Sequence, residues 1–239
     1  MSLFFFLVGV FETQLFPGNI FFEEQFNPAL INKEEFTLAV RMESHFSLPA
    51  VRTYSLYSTL KSYSINCISF GNELYKENTV KTGIIFPFNG RLKFGFNLGL
   101  LNYWIKENCN RFSYTVGLGV RYNYASFQCD GWVNNINFPR FSDYDYLPLT
   151  YSVRTSYSGE KNYSFNFAVR GQGSELPFFN LGFSYCFYRL ATLGVGVNTA
   201  PVYLEYLFSF SPGKLIVGYA GRNHQDLGLS HSFSIGFNL

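Results

Sequence analysis

Residues 91–124 carry the clearest pattern of hydrophobic and polar positions in the chain. From residue 92 to residue 100, large apolar side chains alternate with lysine, glycine and asparagine, and the alternation returns from 112 to 123 after the polar stretch KENCN. A period of two places successive side chains on opposite faces of a strand, whereas a helix needs a period near 3.6. The pattern therefore predicts an antiparallel hairpin of two long strands.

The two faces of this hairpin suit different surroundings. One face is aromatic and aliphatic, and the other is made almost entirely of glycine, serine, threonine and asparagine. If the apolar face packed inward in a water-soluble protein, the outer face would hold far fewer charges than soluble surfaces carry. If the apolar face meets lipid and the polar face meets a wet lumen, every residue has a suitable neighbour. The hairpin therefore predicts an all-β fold, an antiparallel transmembrane β-barrel.

The same alternation recurs along the chain and sets the expected number of strands. It starts at Phe36, in a strand that Pro49 ends. With the two strands of the hairpin, the candidates add up to twelve, and two further stretches, 52–60 and 127–136, raise the count to fourteen if they are strands. An even count puts both ends of the barrel on one side of the membrane. The other candidates are residues 62–70, 75–86, 149–157, 163–171, 179–188, 191–198, 202–210, 214–221 and 228–239.

A twelve-stranded barrel with both ends in the periplasm assigns a side to each connection. The longest connection, residues 125–148, is then extracellular, as are 172–177 and 222–227. The short connections 71–74, 158–161 and 189–190 are then periplasmic.

The first 35 residues form a separate segment from the predicted barrel at 36–239. Residues 3–11, LFFFLVGVF, have the apolar character of an export signal or a short anchor, although no positive residue precedes them; the alternative is a first, irregular strand. Residues 16–35 lack alternation, and we expect them to form a turn or a plug-like segment at the mouth of the barrel.

Composition narrows the function classes. Charged residues make up 14% of the chain against the roughly 25% usual in soluble domains, and aromatic residues reach 21%. No run approaches the 18 to 20 apolar residues of a spanning helix, and no basic run points to nucleic acid. The sequence contains no G-x-S-x-G, HExxH, P-loop or CxxC pattern. We therefore expect no enzyme activity, no cofactor and no metal.

Basic residues on the predicted inner face supply one functional hypothesis. They are opposed by few acids, such as Glu77 and Glu205, and basic side chains in a lumen attract anions. The hypothesis is a pore that weakly favours anions; the alternative is that these residues pair with the acids and the backbone and close the interior around the N-terminal segment. The residues are Lys81, Lys93, Arg121, Arg154, Arg170 and Lys214.

Two histidines, His224 and His231, invite a metal hypothesis. They are seven residues apart with only Asp226 nearby, which is not the spacing of a metal site. We expect them at the extracellular rim, bonded to loop backbone.

Five stretches, in order along the chain, resemble the PorV/PorQ family of outer-membrane barrels, within the FadL-like superfamily. They are FNPAL (26–30), FSLPAV (46–51), SFGNELYKE (69–77), NNINFP (134–139) and HQDLGLSHSFSIGF (224–237). The chain lacks the glycine-rich segment that usually precedes NPA in that family and is shorter than its typical, fourteen-stranded members. The motif residues are Asn27, Pro28, Gly71, Tyr75, Glu77, Asn135, His224, Gly228 and His231.

The resemblance implies a bacterial outer-membrane protein that binds a type IX-like secretion translocon, or its cargo, through extracellular loops. Aromatic residues in the predicted loop 125–148 agree with a docking role. Two other functions remain open: a FadL-like channel for small hydrophobic or anionic molecules, and a purely structural barrel in outer-membrane lipid. A lumen lined by glycine, serine, asparagine and arginine argues against a greasy ligand, so we rank partner binding first.

Overall fold

The computed structural model describes residues 27–31, 36–48, 51–142, 145–159, 162–200, 202–224 and 228–238. Fourteen strands form one closed antiparallel barrel in which each strand pairs with its neighbour along the chain and β1 pairs with β16. A small hairpin, β8 and β9, lies in the connection between β7 and β10. The barrel strands are β1 Thr37–Ser44, β2 Arg52–Leu60, β3 Tyr63–Gly71, β4 Tyr75–Pro87, β5 Leu92–Ile105, β6 Cys109–Tyr124, β7 Phe127–Asn134, β10 Thr150–Ser158, β11 Tyr163–Gln172, β12 Phe178–Phe187, β13 Ala191–Thr199, β14 Val202–Phe210, β15 Leu215–His224 and β16 Gly228–Asn238; β8 is Arg140–Ser142 and β9 is Asp145–Tyr146.

The apolar face of each strand is the outer face of the barrel. In β5, Phe94 and Phe96 are 44% and 38% exposed, whereas Asn97 between the apolar positions is 3% exposed. In β6, Leu118 is 50% exposed while Thr115 is buried. A sealed globule would bury the apolar set instead, so the predicted orientation of the two faces is confirmed.

The barrel has fourteen strands rather than the twelve of the main prediction. The two additional strands, β2 and β7, are the stretches that the sequence left open, although β7 ends at Asn134. Each strand mixes residue types between its faces: in β2, Ser58 lies outward and Tyr57 inward, and in β7, Gly131 lies outward and Trp132 inward. The alternation that identified the other strands is therefore weak in these two.

The connections at the two ends of the barrel differ in length. At the end where β1 starts and β16 finishes, here called the turn end, each connection has two to four residues; at the opposite loop end, one connection spans residues 135–149. Two predictions were wrong because β2 and β7 were left out. Residues 72–74 lie at the loop end, not among the short turns, and residues 125–148 are not one connection, since they include the turn 125–126 and β7.

A short 3₁₀ helix, Pro28–Leu30, lies inside the barrel against β4, β5 and β6. The Asn27 side chain accepts a hydrogen bond from the backbone N–H of Ala29 (3.1 Å), and the proline follows at the first position of the helix. The rest of the first 35 residues, including the predicted export signal, falls outside the described residues apart from Ile31. In the described ranges, no helix has the length and apolar character needed to cross a membrane.

Candidate functional site: the barrel lumen

Most side chains on the inner wall are small or polar. Along each strand, these inward residues alternate with residues on the outer face, most of which are apolar. Eight of the charged residues on this wall lie in three groups of contacts. The first two groups lie nearer the loop end, and the third lies nearer the turn end.

The first group joins β12, β14 and β15. Arg222 and Glu205 are paired in register across β14 and β15, and their side chains form a buried ion pair with 3.3 Å between Nη2 and Oε1. Asn180 donates to the same carboxylate (3.2 Å), and the guanidinium of Arg222 lies 4.7 Å from the ring centre of Tyr203. Two further side chains, Asn180 and Tyr203, therefore hold this charge pair in place.

The second group lies on β1 and β2. Arg41 is 3.5 Å from Glu43, with both side chains 3% exposed. His45 bonds Thr53 through its Nε2 atom (2.8 Å), and its Nδ1 atom lies 3.6 Å from Glu43. These contacts place side chains of β1 and β2 in the same buried layer of the inner wall as the first group.

The third group is a row of four residues on β5, β6, β7 and β10, paired in register: Lys93, Arg121, Asp130 and Arg154. Asp130 accepts from Arg154 at 3.0 Å, and Gln128 bridges Arg121 to Asp130. The row contains three cations and one anion, so it carries a net positive charge on the inner wall.

Glycines on β4, β5 and β6 make room for the 3₁₀ helix. A Cβ atom at Gly95 would overlap the backbone of Pro28 and Ala29, and one at Gly119 would overlap the Asn27 side chain. The helix therefore lies directly on bare backbone and fills part of the lumen nearer the turn end.

The long loop at the other end also reaches the lumen. Phe141 of β8 and Leu147 pack on the inward-facing Leu101 of β5, and Arg111 of β6 donates to the carbonyl of Phe141 (3.0 Å). The β8–β9 hairpin therefore lies over the loop-end opening on the β5 and β6 side.

The opposite side of the lumen is less filled. The inward residues of β10 to β13 near the turn end, such as Ser156, Ser184 and Gly194, are half-buried. Toward the loop end the wall becomes fully buried, with Asn180 and Asn198 at 1% and 0% exposure. The lumen thus narrows toward a layer of amides and paired charges.

Several inner-wall hydroxyls need water. The buried Oγ atoms of Ser55 and Ser232 and the Oγ1 atom of Thr79 have no hydrogen-bond partner in the described part of the chain. Buried polar atoms are almost always bonded to protein or to ordered water, and an orphaned hydroxyl in a polar cavity suits water. These hydroxyls make this part of the inner wall polar enough to suit ordered water.

Five of the six predicted lumen cations lie on the inner wall. The exception is Lys214, which is exposed in the turn before β15 because that strand begins one residue later, at Leu215. Sequence reasoning also missed Arg222, since the predicted loop 222–227 began there while β15 continues to His224. Its inward position shares the parity of the small residues Gly218 and Ala220, and this signal was available in the sequence.

The nine motif residues do not form one site, and three of them serve the backbone at turns. Gly71 ends β3 at a φ of +112°, where a side chain would collide with the carbonyl of Tyr75. Gly228 starts β16 at a φ of +82°. Asn135 has a φ of +60°, accepts from Thr115 (2.7 Å) and donates to the carbonyl of Pro148 (2.9 Å).

The remaining motif residues are spread over both faces of the wall. Asn27 and Pro28 belong to the 3₁₀ helix, and the Tyr75 hydroxyl donates to the buried carboxylate of Glu77 on the inner wall. His224 packs its ring against Phe46 and Tyr203.

His231 points outward, and its Nδ1 atom lies 2.7 Å from the hydroxyl of Tyr219. It therefore bonds a side chain on the outer face, not loop backbone as expected. Across the described residues, no group of three possible metal ligands lies together.

The comparisons with known proteins concern the fold. No family model and no curated protein matches the chain, so the PorV/PorQ resemblance stays a prediction. Among solved structures, the CymD monoaromatic hydrocarbon channel superposes with a TM-score of 0.62 at 12% identity over 90% of this chain and 91% of that one. The KdgM porin matches with a TM-score of 0.48 at 8% identity, over 85% of this chain and 99% of that one. The likeness to CymD shows that the chain shares the closed β-barrel fold of that channel.

Proposed function

We propose that the chain is a bacterial outer-membrane channel with a hydrated lumen that favours small anions. The short connections of the turn end would face the periplasm and the loop end the exterior, as in barrels of this class. The apolar outer wall would lie in outer-membrane lipid.

The charge of the inner wall carries this proposal. On the described strands, the inward positions hold eight lysines and arginines and four acids, a net charge of 8 − 4 = +4. A positively charged lining raises the local concentration of anions and repels cations. The basic residues are Arg41, Lys81, Lys93, Arg111, Arg121, Arg154, Arg170 and Arg222, and the acids are Glu43, Glu77, Asp130 and Glu205.

The polar inner wall also bears on the kind of solute. CymD is named for monoaromatic hydrocarbons, which need an apolar pocket. The described inner wall of this chain consists mostly of amides, hydroxyls and charges instead, with a few buried apolar side chains such as Ile68, Phe70 and Leu101. We therefore infer polar, anionic solutes, and rank a hydrophobic cargo lower.

Ion selectivity in a planar bilayer tests the proposal. In a KCl gradient, the full chain should give a reversal potential with the sign of the chloride equilibrium potential. Lys93→Gln removes a charge from the inner wall and should shift the reversal potential toward zero, whereas Lys214→Gln removes the same charge from an exposed turn and should leave it unchanged. Absence of conductance, or a preference for potassium, would rule out the anion channel.

A second candidate function is partner binding at the loop end, the role that the PorV/PorQ resemblance implies. Exposed apolar side chains collect on this rim: Leu48, Leu74, Phe138, Tyr146 and Leu176 are 50% to 90% exposed. Exposed aromatic and apolar side chains of this kind are enriched at protein contacts. A secretion translocon or its cargo would be the partner.

Crosslinking in intact outer membranes tests this second function. The triple change Leu74→Ser, Tyr146→Ser and Leu176→Ser should abolish a specific crosslinked product. Tyr188→Ser, at an equally exposed residue of the turn end, should leave it intact. An unchanged product in the triple variant would dismiss docking at this rim.

A further inference from the structure

The described outer wall contains a concave apolar region over β10 to β14, here called the wall groove. It has a volume of about 730 Å³, within the range of ligand pockets, and is open to the outside of the barrel. Its outward-facing lining includes Phe165, Phe167, Leu181, Phe183 and Val195, each 39% to 59% exposed. The groove therefore opens away from the lumen.

Side-chain size explains why the wall is concave here. Strand β13 presents only the short side chains Val195 and Val197 at the groove, while β11 and β12 present phenylalanine beside them. At the floor, Gly182 and Gly196 are paired in register and add no side chain on the inner side. Large aromatic residues on one flank and small residues in the centre leave a channel along the outer surface.

The described charges in the connections of the turn end are all positive: Lys61, Arg91, Arg189 and Lys214. The described connections of the loop end hold both signs, Lys106 and Arg140 together with Glu73, Glu107, Asp145 and Glu175. Arg189 is exposed in the turn that joins β12 to β13, the two strands that form the floor of the groove. The β12–β13 hairpin therefore connects the floor of the groove to the cation Arg189 at the turn end.

Distances along the hairpin fit one lipid molecule. From Phe183 to the end of β12 at Phe187 is four residues, or about 13 Å at 3.3 Å per residue, and Arg189 lies two residues beyond. Cations near a membrane surface attract anionic headgroups. A chain lying in the groove would therefore bring its headgroup to the level of Arg189.

We propose that the wall groove binds one acyl chain of an anionic glycerophospholipid from the leaflet at the turn end, with the phosphate headgroup against Arg189. The site rests on the membrane placement given under the proposed function. It does not depend on ion selectivity, because the groove lies on the opposite face of the wall from the lumen.

Native mass spectrometry of the full chain released from detergent micelles tests the site. Phosphatidylglycerol and phosphatidylcholine with identical chains are titrated separately. Wild type should bind one phosphatidylglycerol more tightly than one phosphatidylcholine. Arg189→Gln should weaken phosphatidylglycerol binding about fivefold, the effect of one interfacial cation, and leave phosphatidylcholine unchanged. Arg91→Gln, in another turn of the same end, should change neither.

A variant that fills the groove with a large side chain provides a second test. Val195→Trp should abolish binding of the first lipid, while Leu98→Trp, on the outer face of β5 away from the groove, should not. Equal affinity for the two lipids, equal effects of Arg189→Gln and Arg91→Gln, or full binding by Val195→Trp would overturn the proposal. The reversal potential of Val195→Trp separates the two claims, because it should match wild type if the lumen is intact.

Discussion

Glu205 and Arg222 illustrate what single residues do inside this barrel. They face each other on neighbouring strands, and both side chains are almost fully buried. A buried charge without its partner keeps the cost of leaving water and loses the attraction that offsets it. Such a pair holds β14 against β15 at one register.

Removing one partner of this pair should destabilise the barrel strongly. We expect Arg222→Ala to lower the free energy of unfolding by about 3 to 5 kcal/mol, because Glu205 stays buried and loses its cation. Urea titration of the chain in lipid vesicles measures this. The double variant Arg222→Ala with Glu205→Ala should lose less than the single one, and Lys214→Ala, in an exposed turn, should lose less than about 0.5 kcal/mol. A loss in the double variant equal to the sum of the losses in Arg222→Ala and Glu205→Ala would show that the pair is not coupled.

The parity of a residue was readable from the sequence, but its partner was not. Alternation alone placed Lys81 and Arg170 on the inner face. The contact of Arg222 with Glu205, however, depends on the register between β14 and β15 and on where β15 ends. An alternating pattern of apolar and polar residues fixes neither of these. The two misplaced ends of β15 moved Arg222 into a loop and Lys214 into the lumen.

At the scale of elements, the 3₁₀ helix and the glycines beneath it form one unit. The helix contacts backbone at Gly95, and its Asn27 side chain reaches the carbonyl of Val120 (3.4 Å). The sequence showed the FNPAL stretch and the glycines separately. Nothing in their spacing reveals that the helix lies on β5 and β6, because that contact joins residues far apart in the chain.

Displacing this helix should open the lumen. Gly95→Ala places a methyl group where the backbone of Pro28 and Ala29 lies, and backbone cannot move aside as a flexible side chain does. We expect a higher single-channel conductance than wild type, with the β-sheet circular dichroism spectrum retained.

Gly182→Ala is the matched control, since a Cβ atom there would meet nothing closer than 3.7 Å. It should leave the conductance of the wild type. An unchanged conductance in Gly95→Ala would mean that the helix does not limit the path.

Strand identity followed from the sequence only where the two faces differ in polarity. Strand β5 differs sharply between its faces, with phenylalanine and leucine against glycine and asparagine, and was assigned correctly. Strand β2 has Tyr57 and Thr53 inside and Tyr54 and Ser58 outside, so both faces look alike. Leaving out a strand reverses the predicted direction of the strands that follow it. The omission of β2 therefore placed residues 72–74 at the wrong end of the barrel.

At the scale of the whole molecule, closure and orientation act together. The pairing of β1 with β16 removes both free edges, which a barrel in lipid requires because unpaired backbone groups find no water there. With the edges closed, every strand has one face toward the lumen and one toward the exterior. The proposed hydrated lumen, the proposed anion preference and the proposed lipid site in the wall groove all depend on which face points outward.

Fluorescence quenching by lipids with brominated acyl chains tests this orientation most directly. Phe208 is 43% exposed on the outer face of β14, and its neighbour Leu207 lies half-buried on the inner face. With Trp104 and Trp132 replaced by phenylalanine, Phe208→Trp should be quenched strongly in brominated vesicles and Leu207→Trp only weakly. Equal quenching of the two, or stronger quenching of Leu207→Trp, would contradict the account.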